Sequence, residues 1–306
     1  MSASPGRLLT VAALLVALTP AVATAAQEEE VIVLPGATSA EGITTGRGTS
    51  FYAGDLFAGD IYRGDLRAGT AELFIDVPNG SRMAVGMTVD EAHNLLFVAG
   101  GFAGTAYVYD LDTGDTVATY QLGAPGASLI NDVTLTNKGA WFTDTANPVL
   151  YFVPVSPLGE LGPHETLTLS GPAADTSGQF DNNGIAATPD GRTLIVAHTD
   201  NGVLNTVDPT TGESATIAGV SVPTVDGILW EAGRLWAVQG FLNTVVEVRL
   251  SPDLTSGEVV KTYTSPNFRI PATIAKHGNR LAVVNAKFDT GFPPTASRYE
   301  VVVFDR

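Results

Sequence analysis

Four oxygen-bearing side chains stand at one register of this chain. Glu41, Asn131, Asn183 and Asp226 open the segments Glu41-Gly42-Ile43, Asn131-Asp132-Val133, Asn183-Gly184-Ile185 and Asp226-Gly227-Ile228. Val85-Gly86-Met87 and Pro271-Ala272-Thr273 fall into the same series, with steps of 44, 46, 52, 43 and 45 residues between the six. Two carboxylates and two amides brought to one point form an oxygen-only cage suited to a hard divalent cation. Calcium fits best, because the donors include neutral amides and the site has room for water; magnesium and manganese are the alternatives. No histidine stands at an anchor, which disfavours zinc.

Something must bring together residues so far apart in sequence. A period near 45 is that of a four-stranded propeller blade, and equivalent blade positions converge on the central axis. Each repeat has the same grammar. The anchor opens a short apolar strand, and a turn such as Asp190-Gly191 or Ala232-Gly233 follows. A second strand carries aromatic and β-branched residues, as in Leu96-Phe97-Val98, Trp141-Phe142-Thr143 and Leu235-Trp236-Ala237. Third strands such as Ala106-Tyr107-Val108-Tyr109 run into Asp-x-x-Thr-Gly turns, and the fourth are poorer and outer, as in Val117-Ala118-Thr119-Tyr120. A clear 3.6-residue apolar period is lacking, so almost no helix is expected. The reading is an all-β, six-bladed β-propeller. Val301-Val302-Val303-Phe304 is a third strand with no fourth after it, and Val31-Ile32-Val33-Leu34 completes that last blade and closes the ring.

Arg7, the apolar run from Leu8 to Leu18 and Ala23-Thr24-Ala25 read as a secretory signal peptide over residues 1–25. Cleavage there leaves residues 26–306 as one propeller domain of about six blades at about 45 residues each. The expected location is secreted, extracellular or periplasmic, with no stable membrane insertion after cleavage, and the protein is expected to be a monomer. A formal net charge of −16 disfavours nucleic acid as a partner and favours cations at a focused site. The absence of cysteine excludes thiol catalysis and Cys-ligated zinc, and leaves the core and ring closure to supply stability.

Burying Glu41 and Asp226 near an axis is unfavourable through desolvation and repulsion, and a divalent cation offsets both charges. The competing reading is that the quartet caps turns or bonds water in a channel, since Asn-Gly and Asp-Gly are common turn pairs. The second strand returns to the face where the anchors open. Asp144, His198 and Gln239 are therefore expected on the rim, with Asn285 and Lys287 more loosely placed. His198 reads as a proton acceptor or substrate contact, or else as a strand-end histidine bonded to a loop. The stretch from Ser170 to Asp181 reads as a loop flanking the site entrance. Tyr52, Tyr107, Trp141 and Trp236 read as packing between blades. The chain lacks a serine-hydrolase elbow, a P-loop and a Rossmann fingerprint.

The segments Asn131-Asp132-Val133 through Trp141-Phe142-Thr143-Asp144-Thr145, Asn183-Gly184-Ile185 through Pro189-Asp190-Gly191-Arg192-Thr193-Leu194, and Asp226-Gly227-Ile228 through Gly233-Arg234-Leu235-Trp236 resemble the senescence marker protein/gluconolactonase/luciferin-regenerating enzyme family. The resemblance spans nearly the whole chain after residue 25. It implies six blades, one divalent metal, commonly calcium, and hydrolysis of lactones, or of organophosphate esters as in related propellers. Carried over by residue, Glu41, Asn183 and Asp226 are its metal ligands. Asn131 is its fourth ligand or a substrate and water contact, and Asp226 its base or nucleophile. One departure bears on substrate: sugar-lactone members carry an arginine two residues before the blade-three asparagine, where this chain has Leu129. That points away from aldonolactones and toward a less polar substrate.

The expectation is a divalent-metal-dependent hydrolase of lactones or related esters acting on a small molecule, with Asp226 and Asn131 at the reacting centre. The alternative is a non-catalytic propeller with a structural ion and a ligand- or partner-binding top face. A cofactor-using oxidoreductase propeller finds no supporting residue.

Overall fold

The computed structural model describes Met1 and residues 29–306. The proposed signal peptide lies outside the described residues, apart from Met1. Six four-stranded antiparallel sheets form a propeller, with short 3-10 turns and no α-helix among the described residues. The inner strands are Ile43–Thr45, Met87–Asp90, Ile130–Thr136, Asn182–Ala187, Val225–Glu231 and Pro271–His277.

The last blade is built as its sequence pattern requires. Glu30–Leu34 pairs antiparallel with Tyr299–Asp305, in a register that runs from Glu30 opposite Val303 to Leu34 opposite Tyr299. Ile32 and Leu34 point inward and are buried, while Val33 between them is 40% exposed, the alternation of a half-buried strand. The first and last segments of the described chain are thereby in one sheet, and no inner or outer ring position is left to fray.

The core is divided among the spaces between blades. Ile32, Leu34, Phe51 and Tyr62 pack with Val301 and Val303 between blades six and one. Tyr52 and Tyr107 pack between blades one and two, Trp236 packs between blades five and six, and Trp141 lies stacked on Phe152 at 4.6 Å. All four aromatics expected as packing residues are in this role. The Asp-x-x-Thr-Gly turns are closed by their aspartates: Asp110 accepts from the backbone N–H of Asp112 and Thr113, both at 2.9 Å.

Where each inner strand begins, its ladder is interrupted. Ile130 pairs with Asp144 and Val133 with Phe142, so Asn131 and Asp132 stand opposite one residue. The same shift occurs between Asn182 and Ile185, Val225 and Ile228, and Pro271 and Ile274. In blades one and two the corresponding pairs are Glu41-Gly42 and Val85-Gly86, each preceding a strand that pairs from Ile43 or Met87 onward. These are β-bulges, which re-aim the side chains they carry. They also correct the register of blade six. Pro271 pairs with Asn285 ahead of the bulge, so the equivalent of Asn131 is Ala272 and not Pro271. Spacing alone does not resolve that one-residue difference; ladder pairing does.

Closure predicts an asymmetric response to two neighbouring substitutions. Ile32→Ala removes a fully buried side chain and should lower stability by about 2–5 kcal/mol, whereas Val33→Ala should change it by less than about 0.5 kcal/mol. Denaturant unfolding of both variants checks this, and equal effects would contradict the described register.

Candidate functional site

The bulges decide which side chains meet. Their first residues face one end of the axis, where Glu41, Val85, Asn131, Asn183 and Asp226 line a single cavity of about 690 Å³. All four polar anchors are therefore brought together. Glu41, Asn131 and Asn183 are at most 7% exposed, and Asp226 is partly buried. Asn131 donates through Nδ2 to Thr145 Oγ1 at 2.9 Å, and Thr145 donates in turn to the Asn182 carbonyl at 2.7 Å. That fixes the amide with its nitrogen tied back and its Oδ1 left available. Thr273 Oγ1 lies 3.4 Å from Glu41 Oε1, while Glu41 Oε2 is buried with no hydrogen-bond partner.

The second bulge residues face the axis, where neighbouring blades nearly touch. A Cβ on Gly86 would lie 2.6 Å from the Cα of Asp132, and one on Gly184 2.5 Å from the Asp226 carbonyl oxygen. Glycine is required for such an approach. Asp132 occupies the equivalent slot in blade three. Its Oδ1 accepts from its own neighbour Val133 N at 2.8 Å, and its Oδ2 from Ile185 N in the next blade at 3.2 Å. It also lines a smaller cavity of about 170 Å³ at the opposite end of the axis. Asp132 is a site residue that the four-anchor pattern alone does not single out. The signal was present: an aspartate in a slot that holds glycine in blades one, two, four and five.

Three carboxylates near the axis, Glu41 and Asp132 buried and Asp226 partly so, all have raised proton affinities. Burial pushes Asp132 up to about 7 and Asp226 to about 7, the latter raised further by the Asp132 charge and lowered by the Asn183 amide. Glu41 is raised well above the usual carboxylate range, by burial first and then by the charges of Asp226 and Asp132. An arrangement that raises carboxylates in this way is one that a cation or a proton stabilises. Among the described residues no group of three or more His, Cys, Asp or Glu is arranged as a metal centre. The oxygen donors at the cavity floor are two carboxylates and two amides, a set that suits a hard divalent cation, and the unpartnered Glu41 Oε2 is consistent with one.

Asp144, His198 and Gln239 do not line this cavity. They are buried at the ends of the second strands, opposite Ile130, Asn182 and Val225, and each grips the loop that leads into its own blade. Asp144 accepts from Leu129 N at 3.1 Å. His198 Nε2 donates to the Asp175 carbonyl at 3.0 Å, and Gln239 donates to the Pro223 carbonyl at 3.0 Å. Asn285 completes the series by accepting from Arg269 N at 2.9 Å, and Asp55 in blade one by accepting from Thr38 N at 2.6 Å. Lys287 is paired with Glu300 at 2.8 Å. A polar residue at this strand end is thus a repeated loop clamp, and the loop-bonded reading of His198 is the one observed. The loop from Ser170 to Asp181 does reach the cavity, which Gln179 and Phe180 help to line.

No family model matches the chain, and no curated protein matches it. Solved structures do. The chain is similar to a luciferin-regenerating enzyme, at 13% identity and TM-score 0.62 over 91% of this chain and 96% of that one. It is similar to virginiamycin B lyase from Staphylococcus aureus, at 14% identity and TM-score 0.57 over 90% and 99%. It is also similar to a chain of a mitotic checkpoint complex, at 12% identity and TM-score 0.64 over 98% and 99%. At these identities the likeness establishes the propeller fold, which hosts both enzymes and binding proteins.

The raised carboxylates set a pH dependence. A group with a higher pKa in the folded than in the unfolded state stabilises the fold below the unfolded value, and that stability is lost as pH rises through the folded value. With Asp132 and Asp226 at about 7 in the fold against about 3.9 unfolded, chelator-treated protein should have a lower Tm at pH 8 than at pH 5. The Asp132→Asn, Asp226→Asn double variant should flatten that difference. A wild-type Tm that rises over this range would contradict the uncompensated triad.

Proposed function

We propose that this protein is a divalent-cation-dependent hydrolase of lactones or related esters, similar in kind to the senescence marker protein/gluconolactonase/luciferin-regenerating enzyme propellers. The observation that carries the reading is the convergence of Glu41, Asn131, Asn183 and Asp226 from four blades on the floor of one cavity. The likeness to propeller enzymes supports it. Glu41, Asn131, Asn183 and Asp226 would hold the cation, most suitably calcium, with magnesium or manganese as alternatives. A cation bound there supplies Lewis-acid polarisation of a carbonyl or phosphoryl oxygen.

The chain's own groups supply the rest. Asp226 takes a proton from water at its carboxylate, or attacks the acyl or phosphoryl centre directly, displacing the leaving alkoxide and forming a mixed anhydride or acyl phosphate that water then cleaves. Asn131, with Nδ2 held by Thr145, presents Oδ1 to the ion or to the attacking water. Glu41, Asn131 and Asn183 are buried, which strengthens their interactions with a bound ion. Secretion guided by residues 1–25 places such a site outside the cytoplasm, where calcium is plentiful enough for modest affinity to suffice.

A second reading has its own support. Leu129 lines the cavity where a polar substrate contact stands in sugar-lactone members, and the fold is shared with a chain of a protein assembly. In that reading the ion is structural and the top face binds a ligand. No helix among the described residues is long and apolar enough to cross a membrane.

Thermal unfolding of chelated protein, with calcium titrated back, separates these readings from turn chemistry. Tm should rise with calcium, and the rise should shrink in Asp226→Asn. In a lactone and phosphoester screen, Asp226→Asn should lose about 10²–10⁴-fold in kcat while keeping its far-UV dichroism. Full activity in that variant would remove Asp226 from the mechanism, and the absence of any ion effect would reduce the quartet to turn chemistry.

A further inference from the structure

Above the polar floor the cavity changes character. Its walls carry Leu56, Met83, Leu129, Phe180, Ile270 and Phe288, and among the described residues no Lys, Arg or His lines it. At the mouth the apolar surface continues outward. Phe292 is 58% exposed, Phe241 64% and Phe102 41%. Phe292 is the hub of this collar. It comes from the connection between the second and third strands of blade six, and its ring lies 5.2 Å from Phe57 and 6.4 Å from Phe102, both edge-on, and 5.7 Å from Phe288. One side chain thus spans from blade six to blades one and two.

Exposed aromatic rings gathered around one opening are unfavourable in water unless something covers them, and such rims mark ligand sites. The charge pattern narrows the ligand further. With no Lys, Arg or His in the walls an anionic body finds no partner above the floor, and a polyhydroxylated body would lose its hydrogen bonds to water against walls that offer few in return. We propose that the site selects an uncharged molecule with one polar carbonyl-like end and a bulky apolar body. The polar end meets the floor, and the body is packed against the collar, with Phe292 as its specificity-determining wall. This deepens the proposed hydrolase by naming its substrate class. It rests on that reading only for the cavity being the ligand site, and holds equally for a non-catalytic binder.

A binding series tests it apart from turnover. The probes are 2-methyl-, 2-butyl- and 2-hexylcyclopentanone, which keep a ring and carbonyl but have no ester to cleave, titrated calorimetrically into the full calcium-loaded protein. Each added methylene that enters the collar should tighten Kd by roughly fourfold. Phe292→Ala should weaken the hexyl compound at least tenfold and the methyl compound by less than about threefold; because Phe292 is largely exposed, the variant should remain folded, and Phe241→Ala provides a second check. Gluconate and glucono-δ-lactone should not bind. Affinity that does not depend on chain length, no binding of any ketone, or tighter binding of gluconate would overturn the proposal. The matching γ-lactones, assayed for hydrolysis, keep the two readings distinguishable. Chain-dependent ketone binding without lactone turnover upholds the apolar-ligand inference and removes the hydrolase. Turnover of lactones with no dependence on chain length does the reverse.

Discussion

The inner strands of the six blades approach so closely at the axis that backbone meets backbone, and the site follows from that constraint. In blades one, two, four and five the slot that faces the axis holds glycine, because a Cβ there would run into the neighbouring blade. The bulge that creates this slot also turns the preceding residue toward the cavity. One local distortion, repeated around the ring, therefore both permits close packing and aims Glu41, Asn131, Asn183 and Asp226 at a common point. Blade three breaks the pattern with Asp132, whose carboxylate bonds across to Ile185 N. A buried charge in this position links the floor of the upper cavity to the chamber below.

Around this axis the structure separates rigidity from chemistry. The polar residues at the ends of the second strands, Asp55, Asp144, His198, Gln239 and Asn285, each hold the loop that enters their own blade. They set where the bulges lie without themselves reaching the cavity. Support of this kind holds the four converging side chains in place. Ring closure through Glu30–Leu34 provides the remaining constraint, since without it the first and last blades could separate and the axis would open.

Polarity is graded along the cavity. Acidic and amide oxygens occupy its floor, aliphatic and aromatic side chains its walls, and exposed phenylalanines its mouth. Water is then held least where charge is densest, and this raises the proton affinity of Asp226 and Glu41. The same gradient suits capture of an apolar body followed by chemistry at a single polar end.

The repeat near 45 residues, the turn chemistry and the missing fourth strand after Val301-Val302-Val303-Phe304 were enough to read six blades and their closure, because strand alternation and turns are local properties. The four oxygen-bearing anchors were legible for the same reason: they repeat at the blade period. What the tertiary structure alone decided depends on pairing between strands. A one-residue shift in register moves every side chain to the other face, so Ala272 rather than Pro271 is the sixth anchor. By the same rule Asp144, His198 and Gln239 turn into the protein to hold loops instead of rimming the site. Asp132 breaks a glycine pattern that the sequence shows, but its direction toward the axis follows from the bulge. The phenylalanine collar draws Phe102 and Phe292 together from blades at opposite ends of the chain, a proximity that comes from closing the ring.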